Sequence, residues 1–91
     1  MNYFKNKNIL ITGASSGIGE CFAQTLNSYG AKLVLTARSS DKLEKMCSEM
    51  NDATFISGDL SDNNFPLELY KKIIKKKIKI DIVINNAGFG F

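Results

Sequence analysis

Thr12-Gly13-Ala14-Ser15-Ser16-Gly17-Ile18-Gly19 stands where a short apolar run ends and a helical pattern begins. The preceding Ile9-Leu10-Ile11 reads as a parallel strand, apolar on both faces and therefore buried on both. Beyond the glycines, Ile18, Phe22, Leu26 and Tyr29 recur at helical spacing and predict the inward stripe of an α-helix. A glycine loop between strand and helix suits a phosphate. Glycine turns tightly and carries no Cβ to hold an anion off the backbone amides. The helix behind it aims unpaired N–H groups and a positive dipole end at the same place.

The glycines at 13, 17 and 19 follow Gly-x-x-x-Gly-x-Gly. A Gly-x-Gly-x-x-Gly fingerprint would need a glycine at Phe22, and a Walker loop would need Gly-Lys-Ser/Thr, which does not occur. A plain turn capped by Ser16 explains one serine and one glycine, not three glycines. A second motif, Asn85-Asn86-Ala87-Gly88, follows directly on the strand pattern Ile80-Asp81-Ile82-Val83-Ile84. With Thr12 in front, the glycine loop resembles the cofactor loop of the short-chain dehydrogenase/reductase family. The Asn-Asn-Ala-Gly turn resembles that family's fourth-strand signature, and the resemblance covers essentially the whole chain.

Strand and helix patterns alternate with short connections, which predicts a parallel sheet with right-handed crossovers. Strands are expected at 8–12, 32–37, 54–57 and 80–84. The first helix is expected over 17–29 with Gly30 as its cap. The second spans about 40–50 with Leu43, Met46, Cys47 and Met50 on one face. The third opens near Asn64 with Pro66 early and turns Leu69, Tyr70, Ile73 and Ile74 inward. The expected fold is a doubly wound α/β sheet, Rossmann-like, with strand order 3-2-1-4. No repeat or linker divides the chain, so residues 1–91 read as the N-terminal part of a single dinucleotide-binding domain.

Ninety-one residues with a net charge of +3 argue neither for nor against an acidic partner. The absence of histidine removes the commonest general base and metal ligand. Cys21 and Cys47 lie outside any Cys-x-x-Cys spacing and suit reduced thiols. The N-terminus carries no signal-peptide pattern, and no apolar run approaches the ~20 residues of a membrane span. A cytoplasmic protein without a membrane partner is expected. Lysines 71, 72, 75, 76, 77 and 79 alternate with isoleucines at helical spacing, the pattern of a half-solvated helix, so no nucleic-acid partner is expected.

The resemblance assigns roles residue by residue. Gly13, Ser15, Ser16, Gly17, Ile18 and Gly19 would line the pyrophosphate. The strand-two position that carries a carboxylate in NAD-preferring relatives is Ala37, and the next residue is Arg38, whose guanidinium can take a 2′-phosphate bidentately. Ser39 adds a hydroxyl. NADP(H) is therefore the preferred cofactor, with NAD(H) possible; the competing reading of Arg38 is a solvated loop residue. Asp59 would accept from the adenine amino group and the Leu60 N–H would meet a ring nitrogen, although Asp59 also reads as a turn residue. Asn86, Ala87 and Gly88 would lie against the cofactor, with Asn85 mainly structural.

Two further patterns are set aside. Tyr3 and Lys7 match the family's Tyr-x-x-x-Lys pair but precede the first strand, where no helix is patterned. Gly13-Ala14-Ser15-Ser16-Gly17 matches a nucleophile elbow, which needs a base that a chain without histidine lacks. No catalytic residue is assigned within the 91; the family's Ser, Tyr and Lys are expected beyond Phe91. The resemblance implies a parent NADP(H)-dependent oxidoreductase, expected to be a homo-oligomer, that moves hydride between nicotinamide and a small carbonyl or alcohol. On this reading the 91-residue chain alone is inactive. The alternative is a stand-alone nucleotide-binding or interaction module that catalyses nothing.

Overall fold

A computed structural model describes residues 2–86. The elements alternate in chain order: β1 (Asn8–Thr12), α1 (Gly17–Ser28), β2 (Lys32–Ala37), α2 (Ser40–Ser48), β3 (Ala53–Ser57), α3 (Phe65–Lys75) and β4 (Ile82–Asn85). The four strands form one parallel sheet in the order β3-β2-β1-β4. Ile9 pairs with Leu33 on one side and Ile82 on the other, so β1 and β2 are the interior strands. The expected doubly wound fold and strand order are both found.

Alternation along the strands builds two apolar layers. Ile9, Ile11, Leu33 and Leu35 face α1 and α2, meeting Ala23, Leu26, Leu43 and Met46. Leu10, Val34 and Ile56 face the other way, onto Phe65, Leu69 and Ile73 of α3. Residues 9 to 11 are thus buried on both faces, as their unbroken apolar run requires. All strands end at the same edge, where the loops after β1, β2, β3 and β4 converge.

Helix α1 ends as its sequence predicts. Gly30 takes φ +82, its N–H donates to the Asn27 carbonyl, and the Ala31 N–H donates to Leu26. This pair of bonds is a Schellman cap, and a side chain at Gly30 would be strained.

The inward face of α1 differs from the expected stripe. Its buried residues are Gly19, Ala23 and Leu26, whereas Ile18, Phe22 and Tyr29 are 66%, 43% and 47% exposed. The reason is proximity: at Gly19 a Cβ would collide with the Gly13 carbonyl, so the helix start approaches too closely for large side chains. Helix α3 departs similarly. Phe65, Leu69 and Ile73 are buried at i, i+4 and i+8, while Tyr70 and Ile74 turn outward. Among the described residues α3 is the one helix covering this layer and buries a narrow stripe, with Tyr70 and Ile74 on its flank. Strand β4 begins at Ile82 rather than Ile80. Ile80 instead packs beneath α3, and Asp81 is a lead-in whose N–H donates to the Asn8 carbonyl while its carboxylate accepts from the Asn8 N–H.

Candidate functional site: a cleft at the carboxyl edge of the sheet

Gly13 leaves β1 with φ +63, a left-handed turn suited to glycine, and its carbonyl becomes the anchor of the loop. The Ser16 hydroxyl donates to that carbonyl at 2.8 Å and accepts from the Gly19 N–H at 3.4 Å, capping α1. The Gly17 and Ile18 N–H groups, in the first turn, have no intrahelical acceptor. The loop is thus an amide-rich rim held by its own serine.

The turn after β4 locks this rim. The Thr12 hydroxyl donates to Asn85 Oδ1 at 2.8 Å and accepts from the Asn86 N–H at 2.9 Å. Asn86 Nδ2 donates to the Gly13 carbonyl at 3.3 Å and to the Ser16 hydroxyl at 3.1 Å. Both amides are therefore structural: Asn85 joins adjacent strand ends, and Asn86 ties β4 to the glycine loop while also bordering the cleft. Ala87 and Gly88, assigned to the cofactor by resemblance, lie outside the described residues.

A cleft of about 500 Å³ runs from this rim across the ends of β2 and β3. Gly13, Ser15, Ser16, Arg38, Asp59, Leu60 and Asn86 all line it, so seven of the sequence-assigned residues converge in one place. Gly17, Ile18 and Gly19 do not line it. A Cβ at Gly17 would meet no atom of the chain within 4 Å, whereas one at Gly19 would strike Gly13 and come within 2.8 Å of Asn86 Nδ2. The two glycines thus serve different ends: Gly17 keeps the outer side of the loop open, and Gly19 lets helix and loop pack.

Arg38 and Asp59 are the charged residues lining the cleft. Asp59 accepts from the Ser61 hydroxyl at 2.7 Å and the Ser61 N–H at 2.9 Å. These bonds hold its carboxyl below the usual carboxylate range, outweighing a desolvation that raises it, and the Arg38 charge adds a lesser lowering. Asp59 is therefore an anion at neutral pH with lone pairs left for another donor.

Three features escaped the sequence reading. Gly58 borders the cleft, and any Cβ there would collide with the Phe65 ring, so it is a packing glycine with a signal visible only once Phe65 is placed. Ser61 orients Asp59; the Asp-x-Ser spacing was its one cue. Lys42 reaches from α2 to the glycine loop, its ammonium donating to the Ser15 carbonyl at 2.6 Å and pairing with Glu20 at 3.6 Å. Tyr3 and Lys7, by contrast, sit before β1, at the opposite edge of the sheet. The Lys7 ammonium lies 5.1 Å over the Tyr3 ring, a surface cation–π contact. Among the described residues, no group of three or more metal-ligating side chains occurs, and no helix is long and apolar enough to cross a membrane.

A parallel 3-2-1-4 sheet with a glycine loop after its first strand and a cleft along the strand ends is the architecture of a dinucleotide-binding α/β protein. The chain belongs to the short chain dehydrogenase family, whose sequence profile matches residues 7–90. A dehydrogenase/reductase SDR family protein 7-like protein of Dictyostelium discoideum is 40% identical over 96 residues, covering 96% of this chain and 30% of the relative. L-Sorbose reductase from Gluconobacter frateurii, solved with NADPH and L-sorbose, superposes with a TM-score of 0.87 at 28% identity, covering 100% of this chain and 37% of that one. An NADH-dependent reductase complexed with NAD superposes with a TM-score of 0.78 at 32% identity, covering 94% of this chain and 38% of that one. The chain spans about a third of the length of the curated relatives it matches.

Proposed function

We propose that this chain is the adenosine-binding part of an NADP(H)-dependent oxidoreductase that exchanges hydride between the nicotinamide and a carbonyl or alcohol. The observation that carries the reading is the end of β2, where Ala37 offers no carboxylate and Arg38 faces the cleft. A carboxylate there would accept from both ribose hydroxyls of NAD(H) and repel a 2′-phosphate. The residues present fit such a cofactor. The unpaired amides at the start of α1 and the open side of Gly17 suit a pyrophosphate. Asp59, ionised and partly free, suits the adenine amino group beside the Leu60 N–H.

The nicotinamide supplies the hydride when the cofactor is bound. The chain's own part is to bind and orient: the glycine loop fixes the phosphates, Asp59 and Leu60 fix the base, and Thr12 with Asn85 and Asn86 keeps the cleft rigid. The acid/base tyrosine, its lysine and the serine that orients the substrate oxygen belong to the remainder of the parent protein. A homo-oligomeric, cytoplasmic parent accompanies this reading, and the free Cys21 and Cys47 suit a reducing compartment. Calorimetric titration of the parent with NADPH and NADH, followed by reduction of a carbonyl panel, tests it. Tighter binding of NADPH is expected. Failure to bind either nucleotide would leave the interaction-module alternative standing.

A further inference from the structure

Arg38 and Asp59 line the cleft together, so the one cation aimed into it shares its field with an anion. A phosphate monoester carries a charge of roughly −2 at neutral pH. One guanidinium in the field of a neighbouring carboxylate is a weak complement to that charge. The glycine loop, serine at both 15 and 16, adds none.

Lys42 stands in the first turn of α2, four residues after Arg38. Its ammonium donates at 2.6 Å to the Ser15 carbonyl, and Ser15 lines the same cleft as Arg38 and Ser39. The side chain is 46% exposed, so its ammonium stays open to solvent while it holds the Ser15 carbonyl. An ammonium has three donors. The Ser15 carbonyl takes one, and the Glu20 carboxylate is a longer partner at 3.6 Å. Ser39, between the two cations, caps α2 without using its hydroxyl.

We propose that Lys42 is the second cation of the 2′-phosphate subsite, parked on the Ser15 carbonyl and restrained by Glu20. The inference rests on the NADP(H) reading above and names the residue that completes it. Because the Ser15 bond uses a single donor, a phosphate can be accepted by turning the ammonium from Glu20 without freeing the loop. Glu20 then acts as a competitor, so removing its charge strengthens the subsite through Lys42. A lysine serving only to brace the loop would produce no such dependence.

The test measures NADPH and NADH dissociation constants for the parent protein, with melting temperature as a check on folding. Lys42→Met is expected to lower the NADPH-over-NADH preference about tenfold, the lower end for a charge-assisted bond at an exposed site. Lys42→Arg is expected to keep most of the preference. Glu20→Gln is expected to raise it a few-fold, and to do nothing in the Lys42→Met background. Equal weakening of both cofactors by Lys42→Met, or a Glu20→Gln effect that persists without Lys42, overturns the proposal. A parent that binds neither nucleotide overturns the dinucleotide reading itself. A parent whose NADPH preference falls with Arg38→Ala but not with Lys42→Met keeps that reading and removes Lys42 alone.

Discussion

The Thr12 hydroxyl donates to Asn85 Oδ1 at 2.8 Å, joining the carboxyl ends of two neighbouring strands that are 73 residues apart in sequence. The same hydroxyl accepts from the Asn86 N–H, so one buried side chain sets both amides of the turn after β4. Asn86 then carries the connection to the Gly13 carbonyl. The glycine loop is thus positioned by β4 as well as by its own glycines.

Thr12→Val keeps the side-chain shape and removes the hydroxyl, leaving Asn85 Oδ1 and the Asn86 N–H without this partner. A loss of about 1–3 kcal/mol is expected, the usual range for orphaned polar groups. Urea denaturation should show a lower midpoint at unchanged slope. A midpoint equal to the wild type would mean that water replaces the hydroxyl without loss.

Gly17→Ala and Gly19→Ala should separate binding from folding. The Cβ at Gly17 enters open space and the helix gains a better former, so stability holds or rises by up to about 1 kcal/mol. If the proposed pyrophosphate lies against this open side of the loop, cofactor affinity should fall. At Gly19 the Cβ meets the Gly13 backbone, and destabilisation of about 1–3 kcal/mol is expected from overpacking. Paired thermal melts and calorimetric titrations distinguish the two outcomes.

Element order, strand direction and strand order were legible because they depend on period and on glycine placement, both local. Residues 8–12 and 32–37 came out at their observed bounds. The helix faces were less legible because hydrophobicity weights large side chains, whereas the inward face of α1 is chosen by how near the loop lies. Ile18 and Phe22 therefore drew the stripe toward them, and Gly19 and Ala23 were passed over. Within the site, Arg38 and Asp59 were visible as residues ending strands. Lys42 was not, since its link to Ser15 crosses from α2 to the β1–α1 loop and leaves no spacing pattern.

Arg38→Ala in the parent should weaken NADPH tenfold to a hundredfold and spare NADH, since a charge-assisted bond contributes about 1.5–3 kcal/mol. Ala37→Asp should move the preference further toward NADH. Equal losses for both cofactors would remove Arg38 from the specificity site.

Asp59 makes stability depend on acidity in a defined direction. Its folded-state carboxyl titrates below the usual value, chiefly through the Ser61 hydroxyl and N–H. Its stabilisation is therefore complete above the ordinary carboxylate range, near pH 4, and is lost as pH falls through the lower folded value. Asp59→Asn should flatten the acid limb of the stability curve below about pH 4 and leave the slope above pH 5 unchanged. An acid limb identical to the wild type would show that the Ser61 bonds do not bias the carboxylate in solution.

Strand β4 pairs only with β1 among the described residues, and Val83, on the α3 side of the sheet, is 57% exposed. Its sequence, Ile82-Val83-Ile84-Asn85, is β-branched and uncharged, the composition of an edge that pairs with another copy. Residues 1–91 expressed alone should therefore self-associate, bind nucleotide weakly and reduce no carbonyl. Val83→Lys places a charge on that edge and should shift the species toward monomer in sedimentation velocity without altering the cleft, which lies beyond the strand end. A wild-type chain that sediments as a monomer, or one that oxidises NADPH with a carbonyl substrate, would contradict the expectation. The first result would mean that the β4 edge is protected by a device other than pairing, and the second that the catalytic groups lie within these 91 residues.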